Sequence, residues 1–152
     1  MTAQASIVVF DGAASPASHT FLAQSVVKDA KLDEVVAIYR EGVTSVPVYA
    51  QGVITLKLKR LPSGVWRANT RIEIPVMESV SGQNAAGYTA APKVAYVNTI
   101  ESTGFFHERS SIAERRLVKQ ILTNVSNNVS TTVAAATSGP FDELYSLLTP
   151  PG

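Results

Sequence analysis

At 152 residues, 45% of them hydrophobic, the chain holds enough apolar material for one ordinary core, so a single domain over residues 1–152 is expected. Cysteine is absent, which excludes disulfides and thiolate metal sites, and the formal net charge is only +1. The opening MTAQASIVVF has neither a basic stretch nor a long apolar one, and no later run approaches a membrane span, so the expected protein is neither exported by a signal peptide nor embedded in a bilayer.

In chain order, residues 7–10 are a short β-prone run, Asp11-Gly12 opens a turn-rich stretch to Pro16, and residues 19–23 read as the return strand of an N-terminal hairpin. Residues 26–31 are polar and mixed, without a usable period. EVVAIYRE, residues 34–41, has apolar residues on both faces, as in a strand covered on both sides for part of its length. Gly42 ends it, residues 46–50 read as extended around Pro47, and Gly52 marks a bend.

Residues 52–76, GVITLKLKRLPSGVWRANTRIEIPV, have the strongest pattern in the chain. Ile54, Leu56 and Leu58 alternate with Thr55, Lys57 and Lys59, and Ala68, Thr70, Ile72 and Ile74 alternate with Arg67, Asn69, Arg71 and Glu73. Even-numbered residues face a core. A two-residue turn would set lysines against isoleucines, whereas a three-residue loop at Pro62, Ser63 and Gly64 keeps each face uniform. Lys59 then faces Arg67, Lys57 faces Asn69 and Thr55 faces Arg71. Like charges directly opposite one another destabilise a strand pair, which points to something anionic on this face. The window carries five basic residues and only Glu73 on the acidic side, so the rest of the chain is net acidic.

Residues 78–92 are small, polar and glycine-containing, and predict an exposed loop able to adopt more than one conformation. KVAYVNTIE, residues 93–101, resumes strand character, with Tyr96 and Asn98 on one face, and the β portion is expected to end at about residue 106. Ser111 and Glu114 form the S-x-x-E capping signal of a helix. Leu117, Val118, Ile121, Leu122, Val125 and Val129 recur at helical spacing, and Arg115, Arg116 and Lys119 read as its solvated side. Asn127-Asn128 suggests an interruption, residues 131–137 a second short helix, and Pro140 the start of a last one with Phe141, Leu144, Tyr145 and Leu148 on its buried face.

These elements make an α+β domain: a β portion over residues 1–106, then a helical portion over 107–152 with two or three helices. An apolar helical stripe this wide on so small a sheet predicts a dimer interface at Leu117, Val118, Ile121, Leu122 and Val125. His19 and His107 belong to no nucleophile or metal pattern, and no phosphate-binding glycine loop is present, so no catalytic residue, metal or cofactor is expected.

The order of elements resembles the coat proteins of single-stranded RNA bacteriophages, the leviviruses, over nearly the whole chain. The echoes are TRIEIP at residues 70–75, AYVN at 95–98 and SGPF at 138–141. The resemblance implies an N-terminal hairpin, a five-stranded antiparallel sheet, and helices that cross onto the partner of an interlocked homodimer. Those dimers assemble into an icosahedral shell in the bacterial cytoplasm and hold single-stranded genomic RNA, including a hairpin operator, on the inner sheet face. It further implies RNA contacts from Thr55, Lys57, Lys59, Asn69 and Arg71, with Arg67 beside them, from Tyr96 stacking on an unpaired base, and from Asn98 hydrogen-bonding to a base or sugar. Lys57 departs from the small polar residue usual at its position, and the segment after Phe141 is longer than in the commonest members. The alternative is a non-viral dimeric nucleic-acid-binding or oligomeric β-module that stays a small dimer.

Overall fold

The computed structural model describes residues 4–79, 82, 85–130 and 133–150. Six antiparallel strands, β1 (Ile7–Phe10), β2 (Ser18–Asp29), β3 (Glu34–Glu41), β4 (Val53–Arg60), β5 (Val65–Met77) and β6 (Val94–His107), form one sheet in chain order. Each strand lies beside its chain neighbour because the connections are short, and hairpins are what short connections allow. The expected N-terminal hairpin and the five strands that follow its first arm are therefore one continuous surface.

The β4–β5 hairpin has the predicted register, with Thr55 opposite Arg71, Lys57 opposite Asn69 and Lys59 opposite Arg67. Gly64 takes φ +82°, and the amides of Leu61 and Gly64 donate to the carbonyls of Val65 and Leu61 at 2.8 and 2.9 Å, which closes the three-residue loop. Elsewhere pairing overrides local character. Residues 26–29 continue β2, because β3 offers a full ladder that runs to Asp29 opposite Glu34. Residues 48–50 form a 3₁₀ turn, not an extended segment: the Glu41 amide donates to the Gly52 carbonyl at 2.8 Å, and a link that must return so directly has to be compact.

The core lies on one side of the sheet. Phe21, Ala37, Tyr39, Ile54, Leu56, Leu58, Ala68 and Phe106 cluster there with Leu144 and Tyr145 of the C-terminal segment. Ile74, expected to point into this core, lies at its margin beside Gly52 and stays 41% exposed.

Helix α1 (Ile112–Ser126) starts as predicted: the Glu114 amide donates to Ser111 Oγ, and the Ser111 amide to Glu114 Oε2. Asn127 caps it and Asn128, at φ +51°, turns the chain away. Of the proposed helix at 131–137, residues 131 and 132 lie outside the described residues and 133–137 are not helical. A last turn, α2 (Pro140–Asp142), runs into a π-helical turn, Glu143–Leu147. Gly139 at φ +95° starts it, and it seats Leu144 and Tyr145 on the sheet, the Tyr145 hydroxyl donating to Thr70 Oγ1 at 2.9 Å. No helix among the described residues is long and apolar enough to cross a membrane.

Candidate nucleic-acid interface

Directly paired residues of antiparallel strands project to the same face, so the register sorts the candidate residues. Thr55, Lys57 and Lys59 of β4 lie with Arg67, Asn69, Arg71 and Glu73 of β5. Through β5 they share that face with Thr99, Glu101, Thr103 and Phe105 of β6, and through β4 with Glu34, Val36 and Ile38 of β3. Among the described residues no helix covers this open face; the C-terminal turn packs on the other side.

Part of its positive charge is neutralised within the chain. Arg67 donates through Nη2 to Glu34 Oε1 at 2.8 Å, and Glu34, 2% exposed, also stands directly across from Lys59. The anion inferred opposite Lys59 and Arg67 is therefore, in the first instance, a carboxylate from β3. Sequence missed it because the register of β3 on β4, which brings Glu34 across from Lys59, is not fixed by either strand alone. Arg71 pairs with Glu73 at 2.8 Å in an exposed contact of small energetic value. Asn69 is buried, its Nδ2 donating to Glu101 Oε1 and Thr103 Oγ1, both at 2.7 Å. Lys57 and Lys59 make no ion pair among the described residues, so they are the cations of the face left without a direct carboxylate contact.

Tyr96 and Asn98 do not join this set. Tyr96 pairs with Val76, Asn98 with Ile74 and Ile100 with Ile72, which puts them on the core side of the sheet. The β5–β6 register pairs odd residues with odd and even with even from Val65 opposite His107 to Val76 opposite Tyr96, and the bulge comes only beyond it. The AYVN echo thus sits one residue out of phase with the basic face. In its place the register brings Phe105, directly opposite Arg67 and 63% exposed. The signal was available: counting in twos from Thr99 along the strand reaches Phe105, had β6 been extended to its true end.

A family model, levivirus coat protein, matches residues 2–141. The chain belongs to the levivirus coat protein family. It is similar to the solved virus-like particle of bacteriophage EMS014, with 29% identity over 98% of this chain and 99% of that one and a TM-score of 0.69. It is also similar to a structure of the bacteriophage EMS014 coat protein, at 28% identity over 95% and 85% with a TM-score of 0.64. The virus-like particle of bacteriophage ESE058 shares the fold at 21% identity, 83% and 89% coverage and a TM-score of 0.67. No curated protein matches the sequence. The chain is accordingly a structural subunit of a phage capsid, and its place is the virion.

In this coat protein α1 buries only Arg115; Leu117, Val118, Ile121, Leu122 and Val125 are 53–74% exposed in the single chain. The three cations read as its solvated side are structural instead. Arg115 Nε donates to the Ser146 carbonyl at 2.7 Å and its Nη1 to the Ser110 carbonyl. Arg116 grips the fully buried Asp142 with two bonds, Nε to Oδ1 at 3.0 Å and Nη2 to Oδ2 at 2.6 Å, and Lys119 Nζ adds a third at 2.8 Å. The Arg116 guanidinium, followed by Lys119 and Ser146, holds the Asp142 carboxyl well below the usual carboxylate range. Helical spacing showed these residues on a polar side, but only the folding back of the C-terminal segment supplied the buried carboxylate.

Proposed function

We propose that this coat protein acts as a homodimer that assembles into a closed icosahedral shell and binds single-stranded RNA on the open face of its sheet. The pairing of two copies is supported by α1 itself. A helix that leaves its whole apolar stripe in water gains little from its own chain, whereas each Leu, Ile or Val it buries contributes about 1.5–3 kcal/mol. Ile74, Tyr96 and Ile100 form an exposed counterpart on the core side of β5 and β6, and the far edge of the fourteen-residue β6 is unpaired. A second copy related by a two-fold axis continues the sheet edge to edge at β6 and lays its α1 over that apolar strip. Tyr96 is then a dimer contact. Replacing Ile121 by Asp puts an unpaired charge into the interface and should leave no soluble dimer in sedimentation velocity. A dimer of unchanged stability in that variant refutes the assignment.

For RNA, the observation that carries the reading is the pair Lys57 and Lys59, held in no ion pair on a sheet face that no described helix covers, and flanked by Thr55, Arg67, Asn69 and Arg71. These side chains suit phosphate contacts from a single strand, including the loop of a hairpin operator. The test is a salt titration of RNA binding by wild type and by the Lys57→Gln, Lys59→Gln, Arg71→Gln variant. Removing one cation from a single-strand phosphate lowers the log–log salt slope by about 0.7, so the triple variant should bring it down by about 2 and package less RNA. An unchanged slope and RNA content would mean the open face is merely solvated.

A further inference from the structure

The open face has an aromatic residue that no family echo pointed to. Phe105 is 63% exposed on a face that carries Val36 and Ile38 as well as charged and polar side chains, and it borders a depression lined by Lys57, Arg67, Asn69, Glu101 and Thr103. Among the described residues the other exposed aromatic on this face is Phe10, on β1 at the opposite edge of the sheet. The exposed ring offers a stacking surface, and Lys57 beside it favours a flat partner that carries negative charge, Arg67 being paired with Glu34 in the single chain.

A second observation concerns the floor of the depression. The two bonds from Asn69 Nδ2 fix the amide's orientation, and they leave Asn69 Oδ1, an acceptor, buried with no partner. On the same strand and face, Arg67 Nε, a donor, is also buried without one. Both atoms are buried in the single chain, so a base edge meets this acceptor and donor only when the Arg67 side chain moves aside.

We propose that Phe105 is the stacking platform for an unpaired RNA base, whose edge turns toward Asn69 and Arg67 while Lys57 holds the adjoining phosphate. This rests on the open face being the RNA surface. The base reaches the floor as the Arg67 guanidinium leaves Glu34, and the ring then carries the sequence-tolerant part of the affinity, distinct from the charge carried by the lysines.

The test uses purified coat protein and two RNAs of equal length, a fully paired stem and the same stem with unpaired bases in its loop. Phe105→Leu should bind the looped RNA about ten-fold more weakly, within the roughly 5- to 150-fold range of one missing base–aromatic stack, with the salt slope and the binding of the paired stem unchanged. Phe105→Trp should keep wild-type affinity, and its added fluorescence should be quenched by the looped RNA. Equal affinity of Phe105→Leu and wild type for the looped RNA overturns the platform, as does an equal loss on both RNAs, or a weakened dimer that would make Phe105 an interface residue. If Lys57→Gln, Lys59→Gln, Arg71→Gln also binds as wild type, the open face is not the RNA surface at all. If that variant loses affinity and Phe105→Leu does not, only the platform fails.

Discussion

Replacing Asp142 by Asn tests whether the C-terminal turn is held to α1 by charge. Asp142 is fully buried, whereas the side chains of Arg116 and Lys119 are 26% and 13% exposed, so the variant keeps the side-chain volume but leaves two largely desolvated cations without their anion. Breaking a fully buried pair by removing one partner costs about 3–5 kcal/mol, and the partial exposure of both cations reduces the expectation to roughly 2–3 kcal/mol. The assay is urea unfolding at one fixed protein concentration, since dimer stability depends on concentration. Wild type should also show an acid limb that the variant lacks. The folded-state pKa of Asp142 is depressed, so its contribution is complete above the ordinary carboxylate value near 3.8 and is lost as pH falls through the lower folded value. A loss under about 0.5 kcal/mol, or no coupling between Asp142→Asn and Arg116→Met in a double-mutant cycle, would refute the clamp.

Two further outcomes follow from packing and titration. Gly104 on β6 has no room for a side chain, since an added Cβ would lie 2.6 Å from Phe106 Cε2 and 3.3 Å from Tyr145 Cδ1; Gly104→Ala should cost about 1–3 kcal/mol in thermal unfolding, and a neutral result would show that the Phe106 ring yields easily. His19 is hydrogen-bonded through Nδ1 to Glu41 at 2.6 Å, with Asp11 3.7 Å from Nε2, and the Glu41 carboxylate raises its pKa above the ordinary 6.5. Its tie between the N-terminal hairpin and β3 is thus complete below pH 6.5 and lost as pH rises through the higher folded value. NMR titration should place the imidazole midpoint above 6.5 in wild type and lower in Glu41→Gln; equal midpoints would show that the carboxylate does not hold the proton.

Local chemistry determined much of this protein. Alternation over residues 52–76, with the glycine that a left-handed loop position requires, was enough to set the hairpin register to the residue, because a shift by one would have set the charged face of one strand against the apolar face of the other. The Ser111 and Glu114 side chains fixed where α1 begins, since a capping box involves only residues within one turn. The wide stripe on that helix was legible for the same reason, and so was the order of elements that resembles the levivirus coat proteins.

Only the tertiary structure decided which residues share a surface. Alternation within a strand gives two faces but does not say which one continues across to the next strand; the β5–β6 pairing does, and it put Tyr96 and Asn98 on the core side and Phe105 among the lysines. Charges were misread wherever their partners came from distant segments. Glu34 neutralises Arg67 from thirty-three residues away, and Asp142 draws in Arg116 from twenty-six. Those partners are brought together by chain folding, so no local period could reveal them, and the same coulombic attraction that a sequence reads as a free basic surface becomes, once the chain has folded back, a buried structural tie.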